Sequence, residues 1–94
     1  MFVNYYIYIL KSLQTGQYYI GQTQNLEKRI VKHNSGYVNS TSKAIPWQLI
    51  YSEQFETRSD SVKREKEIKG WKSRARIEKL VAHWVPENQN SSNS

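Results

Sequence analysis

The sequence has no cysteine, only four glycines and two prolines in 94 residues, and no apolar run near the length of a membrane span. Without cysteine there can be no disulfide framework and no thiolate zinc site. A helix needs about 20 consecutive apolar residues to cross a bilayer, so no spanning helix and no membrane partner are expected. Nor does the N-terminus read as a charged leader followed by an apolar segment and a cleavage site, and the expected location is the cytoplasm. A chain this short makes one domain with one modest core, because it buries only about 60–65% of the surface its unfolded form exposes.

Positive charge is present in excess. Fourteen Lys and Arg face eight acids, a formal net charge of +6. Nine of those cations against four acids fall between Arg58 and Lys79, so most of the excess sits on the predicted C-terminal helices. A clustered cationic surface suits a polyanionic partner and makes binding salt-dependent, although a solvated helix face would show the same composition.

Tyrosine is also concentrated. "YYIYILKSLQTGQYYIG", Tyr5 to Gly21, holds five of the seven tyrosines. Tyr5–Lys11 and Gln17–Gln22 read as strands joined through Thr15-Gly16, a hairpin. "TQNLEKRIVKHNSG" reads as a short helix capped by Thr23 or Asn25 and ended by Asn34 to Gly36. After a polar loop, Trp47–Phe55 reads as a third strand. Thr57 or Ser59 opens a helix through Lys69 that Gly70 breaks, and Ser73 opens a last helix in which Ile77, Leu80, Val81 and Trp84 recur at helical spacing. Pro86 closes the folded unit, giving a domain over residues 1–85 and a polar, disordered tail over 86–94. The order ββαβαα predicts an α+β domain, a small three-stranded antiparallel or mixed sheet flanked by about three helices.

Polar residues intrude on faces that should be apolar. Leu26, Arg29, Ile30 and His33 share one helical stripe. Arg29 can snorkel from the margin of that stripe, and His33 can simply favour the helix C-terminus. Glu65 lies between Val62 and Ile68, and a buried glutamate needs a partner: Lys69, Arg29 or a metal. A register that pairs residue 8 with 19 and 10 with 17 would place Tyr8 directly opposite Tyr19, whereas a slip of one residue would put them on opposite faces. With the first register, one concave surface could carry two phenols, a guanidinium, an imidazole and a carboxylate.

"YIY" at Tyr6–Tyr8, "YIG" at Tyr19–Gly21, Arg29-x-x-x-His33-Asn34 and "KREKEIKGW" at Lys63–Trp71 together resemble the GIY-YIG nuclease superfamily, in particular its small single-domain bacterial members related to the nuclease domain of the excision-repair incision subunit. The resemblance spans residues 4 to 84, with Tyr6 in place of the first glycine. It implies an endonuclease that hydrolyses DNA phosphodiester bonds, in repair or recombination, with one Mg²⁺ or Mn²⁺ ligated by Glu65. Tyr8, Tyr19, Arg29, His33 and Glu65 are then the implied catalytic residues. Arg29 would neutralise charge on the phosphoryl oxygens, Tyr19 and His33 would position phosphate or water, and Tyr8 is the candidate general base. An isolated phenol is ionised to only about one part in a thousand at pH 7, so His33 stays a rival for the proton. Lys32, Asn34, Lys43, Lys69 and Lys72 are the expected nucleic-acid contacts. A protein partner that supplies specificity is also implied, since members often borrow it from an attached domain.

Two other readings fit the composition. One is a non-catalytic nucleic-acid-binding module on the same scaffold, using stacked tyrosines and basic charge. The other is a basic adaptor anchored by Trp71 and Trp84, though those tryptophans are expected to pack the C-terminal helices.

Overall fold

Aromatic and β-branched residues on both sides of a polar turn build the first hairpin, β1 (Tyr5–Ser12) and β2 (Tyr18–Thr23). The structure, a computed structural model, describes residues 3–85; the expected tail over 86–94 lies outside them. The chain continues through α1 (Leu26–Asn34), a 3-10 turn (Ser42–Ala44), β3 (Trp47–Phe55), α2 (Arg58–Trp71) and α3 (Arg74–Val81). All strand pairs are antiparallel, in the order β2-β1-β3, which makes this the α+β fold its element order predicted.

Because β1 is central, both of its faces are covered. Ile7 and Ile9 pack with Ile68 of α2 and Ile77 of α3 on one side. Tyr8 and Leu10 pack with Ala44, Trp47, Leu26 and Ile30 on the other. The four consecutive residues Ile7 to Leu10 are wholly buried, and each such apolar side chain contributes roughly 1.5–3 kcal/mol. β3 serves both layers through a bulge. Leu10 pairs with Leu49 but Ile9 pairs with Tyr51, so one extra residue, Ile50, reverses the alternation. Trp47 and Leu49 thus join the α1 layer, while Tyr51 and Phe55 join the α2–α3 layer.

The hairpin register differs from the sequence expectation by two residues. Tyr8 pairs with Gly21 and Leu10 with Tyr19, so Tyr8 and Tyr19 share a face as diagonal rather than directly opposed neighbours. The turn explains the shift. Gly16 takes φ +79°, and the buried Ser12 hydroxyl accepts from the N–H groups of Gln14 (3.1 Å) and Thr15 (2.9 Å), which centres the turn on Gln14-Thr15.

Each helix opens on a side-chain cap: Asn25 accepts from the Lys28 N–H, Thr57 from Asp60 and Ser73 from Arg76. Gly70 does not end α2. The helix runs on to Trp71 and stops at Lys72, which takes the left-handed conformation at φ 48°. Packing outweighs the weak helix propensity of glycine here, because Ile68 and Trp71, on either side of it, both belong to the core. Within "KREKEIKGW", Arg64 staples α2 to β3 by an ion pair to Glu53 (3.0 Å) and also bonds Glu67 (2.8 Å). Trp71 lies under the guanidinium groups of Arg64 and Arg76, and the Trp84 ring packs on Tyr51.

Candidate active site

Along the stripe of α1, Leu26 and Ile30 anchor the helix on the sheet, and that anchoring turns Arg29 and His33 toward β1. Arg29 donates from Nε to the Tyr8 hydroxyl at 3.2 Å. The same hydroxyl lies 2.9 Å from His33 Nε2. His33 Nδ1 in turn lies 2.8 Å from the Thr41 hydroxyl, which reaches the Val38 carbonyl at 3.3 Å. Tyr8 and His33 are wholly buried, so this is an internal line of hydrogen bonds with Arg29 at its outer end.

Burial sets the protonation of the line. Desolvation pushes the Tyr8 phenol above its usual value, only partly offset by the hydrogen bond and charge of Arg29. Desolvation, with Arg29 next, pushes the His33 imidazole below its usual value. The Arg29 guanidinium is raised, chiefly by its bond to Tyr8. At neutral pH the set is therefore a neutral phenol, a neutral imidazole and a fixed cation. The Tyr19 ring packs edge-on against His33 at 4.8 Å between centroids and lies 6.3 Å from the Tyr8 ring.

Gly21 makes this packing feasible. A Cβ at that position would lie 2.5 Å from the Tyr8 hydroxyl oxygen and 3.1 Å from the Tyr19 ring, so no side chain fits beneath the phenol.

Glu65 belongs to the other layer. The alternation of β2 places Gln22 on the α2 side, where its amide nitrogen donates to Glu65 Oε1 at 2.9 Å. Lys69 bonds Glu65 Oε2 at 2.7 Å, and the Glu65 side chain is 15% exposed. The structure thus brings Tyr8, Tyr19, Arg29 and His33 into direct contact, while Glu65 stands across the edge strand from them and its charge reaches the Tyr8 phenol.

Glu65 suits a single hard cation. It is a largely buried carboxylate with one oxygen already facing an ammonium, and Mg²⁺ is commonly held by one or two carboxylates plus waters and a phosphate. Among the described residues no group of three or more His, Asp or Glu gathers into a metal cage.

The expected nucleic-acid contacts are scattered. Lys32 and Lys43 are exposed on α1 and the 3-10 turn. Lys69 is paired with Glu65. Lys72 lines an open groove of about 490 Å³ together with Tyr18, Tyr19, Ser73 and Arg74. The Asn34 side chain is engaged by the backbone of Trp47, accepting from its N–H at 2.6 Å and donating to its carbonyl at 3.0 Å. Two contributors escaped the sequence reading. Gln22 could have been found from strand alternation beside "YIG"; Thr41 lies in an aperiodic loop that offers no such signal.

The chain matches the GIY-YIG catalytic domain family over residues 4–79. It is 44% identical over 79 residues to a UPF0213 protein of Staphylococcus saprophyticus, covering 83% of this chain and 94% of that one. It is 37% identical over 83 residues to a UPF0213 protein of Natronomonas pharaonis, covering 87% and 95%. The solution NMR structure of a UPF0213 protein from Bacillus halodurans is similar in fold, with a TM-score of 0.56 and 31% identity over 94% of this chain and 93% of that one.

Proposed function

This chain belongs to the GIY-YIG catalytic domain family, and on that premise we propose that it is an endonuclease hydrolysing DNA phosphodiester bonds with one divalent metal ion, Mg²⁺ or Mn²⁺, held by Glu65. The observation that supports this reading is the buried line from Arg29 through Tyr8 to His33, hydrogen bonds along which one proton can pass, with a guanidinium at its outer end. Binding alone requires no such line.

Arg29 uses Nε for Tyr8, and its remaining N–H groups are geometrically suited to a phosphate. Tyr8 has no exposed surface, so its hydroxyl meets water only when the guanidinium head moves off it. A scissile phosphate that engages Arg29 provides that pull. The attacking water then gives its proton to the Tyr8 oxygen while the phenol proton passes to His33 Nε2. A concerted transfer avoids a free phenolate, which the raised Tyr8 value disfavours. His33, neutral because its value is lowered, is the final acceptor. Both rivals for the base then act in series. Tyr19 supports the His33 ring, and Gln22 orients the Glu65 carboxylate. A divalent ion bound at Glu65 would supply Lewis-acid activation of the phosphate and stabilise charge on the leaving oxygen. Lys72 and Arg74, along the groove that ends at Tyr19, offer positive charge to the strand beyond the scissile bond.

Action in repair or recombination, a cytoplasmic location and a protein partner for specificity remain part of the same proposal, as does the folded unit over residues 1–85. The test is cleavage of labelled duplex, single-stranded, flap and junction DNA, and of RNA, with Mg²⁺ or Mn²⁺. Glu65→Ala and Arg29→Ala proteins that still fold should not cut. Undiminished cutting by either overturns the assignment. Full burial of Tyr8 favours one second reading, a nucleic-acid-binding module without turnover, and salt-dependent binding with no cleavage under any metal would establish it.

A further inference from the structure

Between α1 and β3 the chain crosses the α1 layer as a loop, and one of its side chains turns fully inward. Thr41 is 1% exposed, and its hydroxyl stands between His33 Nδ1 at 2.8 Å and the Val38 carbonyl at 3.3 Å. Two groups at the ends of the line fix the direction of every proton in it. The Val38 carbonyl can only accept, so the Thr41 hydroxyl proton goes to it, and the lone pair left on Oγ1 can only accept from His33 Nδ1–H. The Arg29 guanidinium can only donate, so the Tyr8 oxygen accepts from it and points its own O–H at His33 Nε2. Neither end can be reversed, and a single arrangement satisfies all four bonds. Thr41 is itself held firmly, since its carbonyl accepts from the Trp47 indole at 2.8 Å and its N–H bonds Val38 at 3.1 Å.

We propose that Thr41 is a positioning residue that holds neutral His33 in the tautomer protonated at Nδ1, leaving Nε2 bare as the acceptor for the Tyr8 proton. Removal of the hydroxyl leaves Nδ1–H without a buried acceptor. An unmet buried N–H is costly, so the imidazole loses its bias toward Nδ1, and a proton on Nε2 would donate to the second lone pair of the Tyr8 oxygen, turn the phenol O–H away and block the transfer. Burial keeps His33 neutral near pH 7, so the tautomer decides its role. The consequence for catalysis rests on the relay proposed above, while the tautomer itself can be read without substrate.

The experiment is long-range ¹H–¹⁵N NMR of the imidazoles in the labelled full chain near neutral pH, with His83→Gln to assign the two histidines. Wild type and Thr41→Ser should show His33 protonated at Nδ1 and bare at Nε2. Folded Thr41→Val should move the proton toward Nε2 and, if DNA is cut, lower kcat by roughly 10²-fold with KM unchanged, with Thr41→Ser restoring it. A wild-type His33 protonated at Nε2 overturns the proposal without any variant, as does an unchanged tautomer in folded Thr41→Val. If the tautomers behave as stated but wild type cuts no nucleic acid, the nuclease reading falls and the assignment of Thr41 stands.

Discussion

Gly21 faces Tyr8 across the first strand pair, and the space left by its missing side chain is filled by the Tyr8 phenol. In Gly21→Ala the added methyl would sit 2.5 Å from the phenol oxygen, so either the ring or the strand must shift. Overpacking of this kind costs about 1–3 kcal/mol, and here the displaced atom is the reactive one. The expected outcome is a lower denaturant midpoint together with a loss of cleavage larger than the loss of stability explains. Full activity in the variant would mean that Tyr8 need not sit where it does.

Tyr8→Phe removes the one oxygen shared by Arg29 and His33, and should reduce cleavage by roughly 10²- to 10⁴-fold, the usual range for general acid–base groups. Tyr51→Phe is the control. Tyr51 bonds Glu53 on the opposite face of the sheet, and burial with that carboxylate pushes it up to about 12. Its loss should cost about 1 kcal/mol of stability and leave cleavage intact. Equal effects in a cleavage assay would reduce Tyr8 to packing.

The Lys69–Glu65 pair sets a competition. A divalent ion bound at Glu65 must share or displace the ammonium on Oε2, so Lys69→Met should tighten Mn²⁺ binding while Glu65→Gln abolishes it. Titration calorimetry on the DNA-free protein reads both. Unchanged affinity in Glu65→Gln would place the ion at some other group.

His33 makes stability depend on pH with a definite sign. Its folded value is lowered, while the unfolded chain titrates near its ordinary value of about 6.5. Above that value neither state binds the proton and the contribution is complete. As pH falls below it the unfolded state binds the proton first, so stability declines until the folded value is passed. Thermal unfolding between about pH 7.5 and 5 should show a steeper loss in wild type than in His33→Gln. Parallel curves would mean that His33 titrates normally.

Much of this was legible in the sequence because it is periodic. The intrusion of Arg29 and His33 on the α1 stripe, and of Glu65 between Val62 and Ile68, follows from helical spacing alone, and the structure places all three partly or wholly within the fold. What lacked a period was harder to read. The register depended on which residues would form the turn, and "SLQTG" allows several centres until the Ser12 hydroxyl selects one. Gly70 reads as a stop because local propensity carries no trace of Ile68 and Trp71, which hold the helix down on both sides. Trp47–Phe55 reads as one unbroken strand, and the bulge at Ile50 that divides it between two layers has no residue signature. That Glu65 approaches Tyr8 from across the sheet, rather than over a shared surface, follows from that layering and not from helix α2 itself.

Asn34 gives the molecule protection that its chemistry does not require. β3 lies at the rim of the sheet, and at Trp47 the backbone N–H and carbonyl are taken by the Asn34 amide. A side chain thereby occupies the place a further strand would fill, which denies that rim to the β3 of another molecule. Asn34→Ala should leave the monomer folded but prone to self-association, visible as a concentration-dependent rise in light scattering. A short polar residue at the end of α1 thus helps keep the protein from becoming the template for its own aggregate.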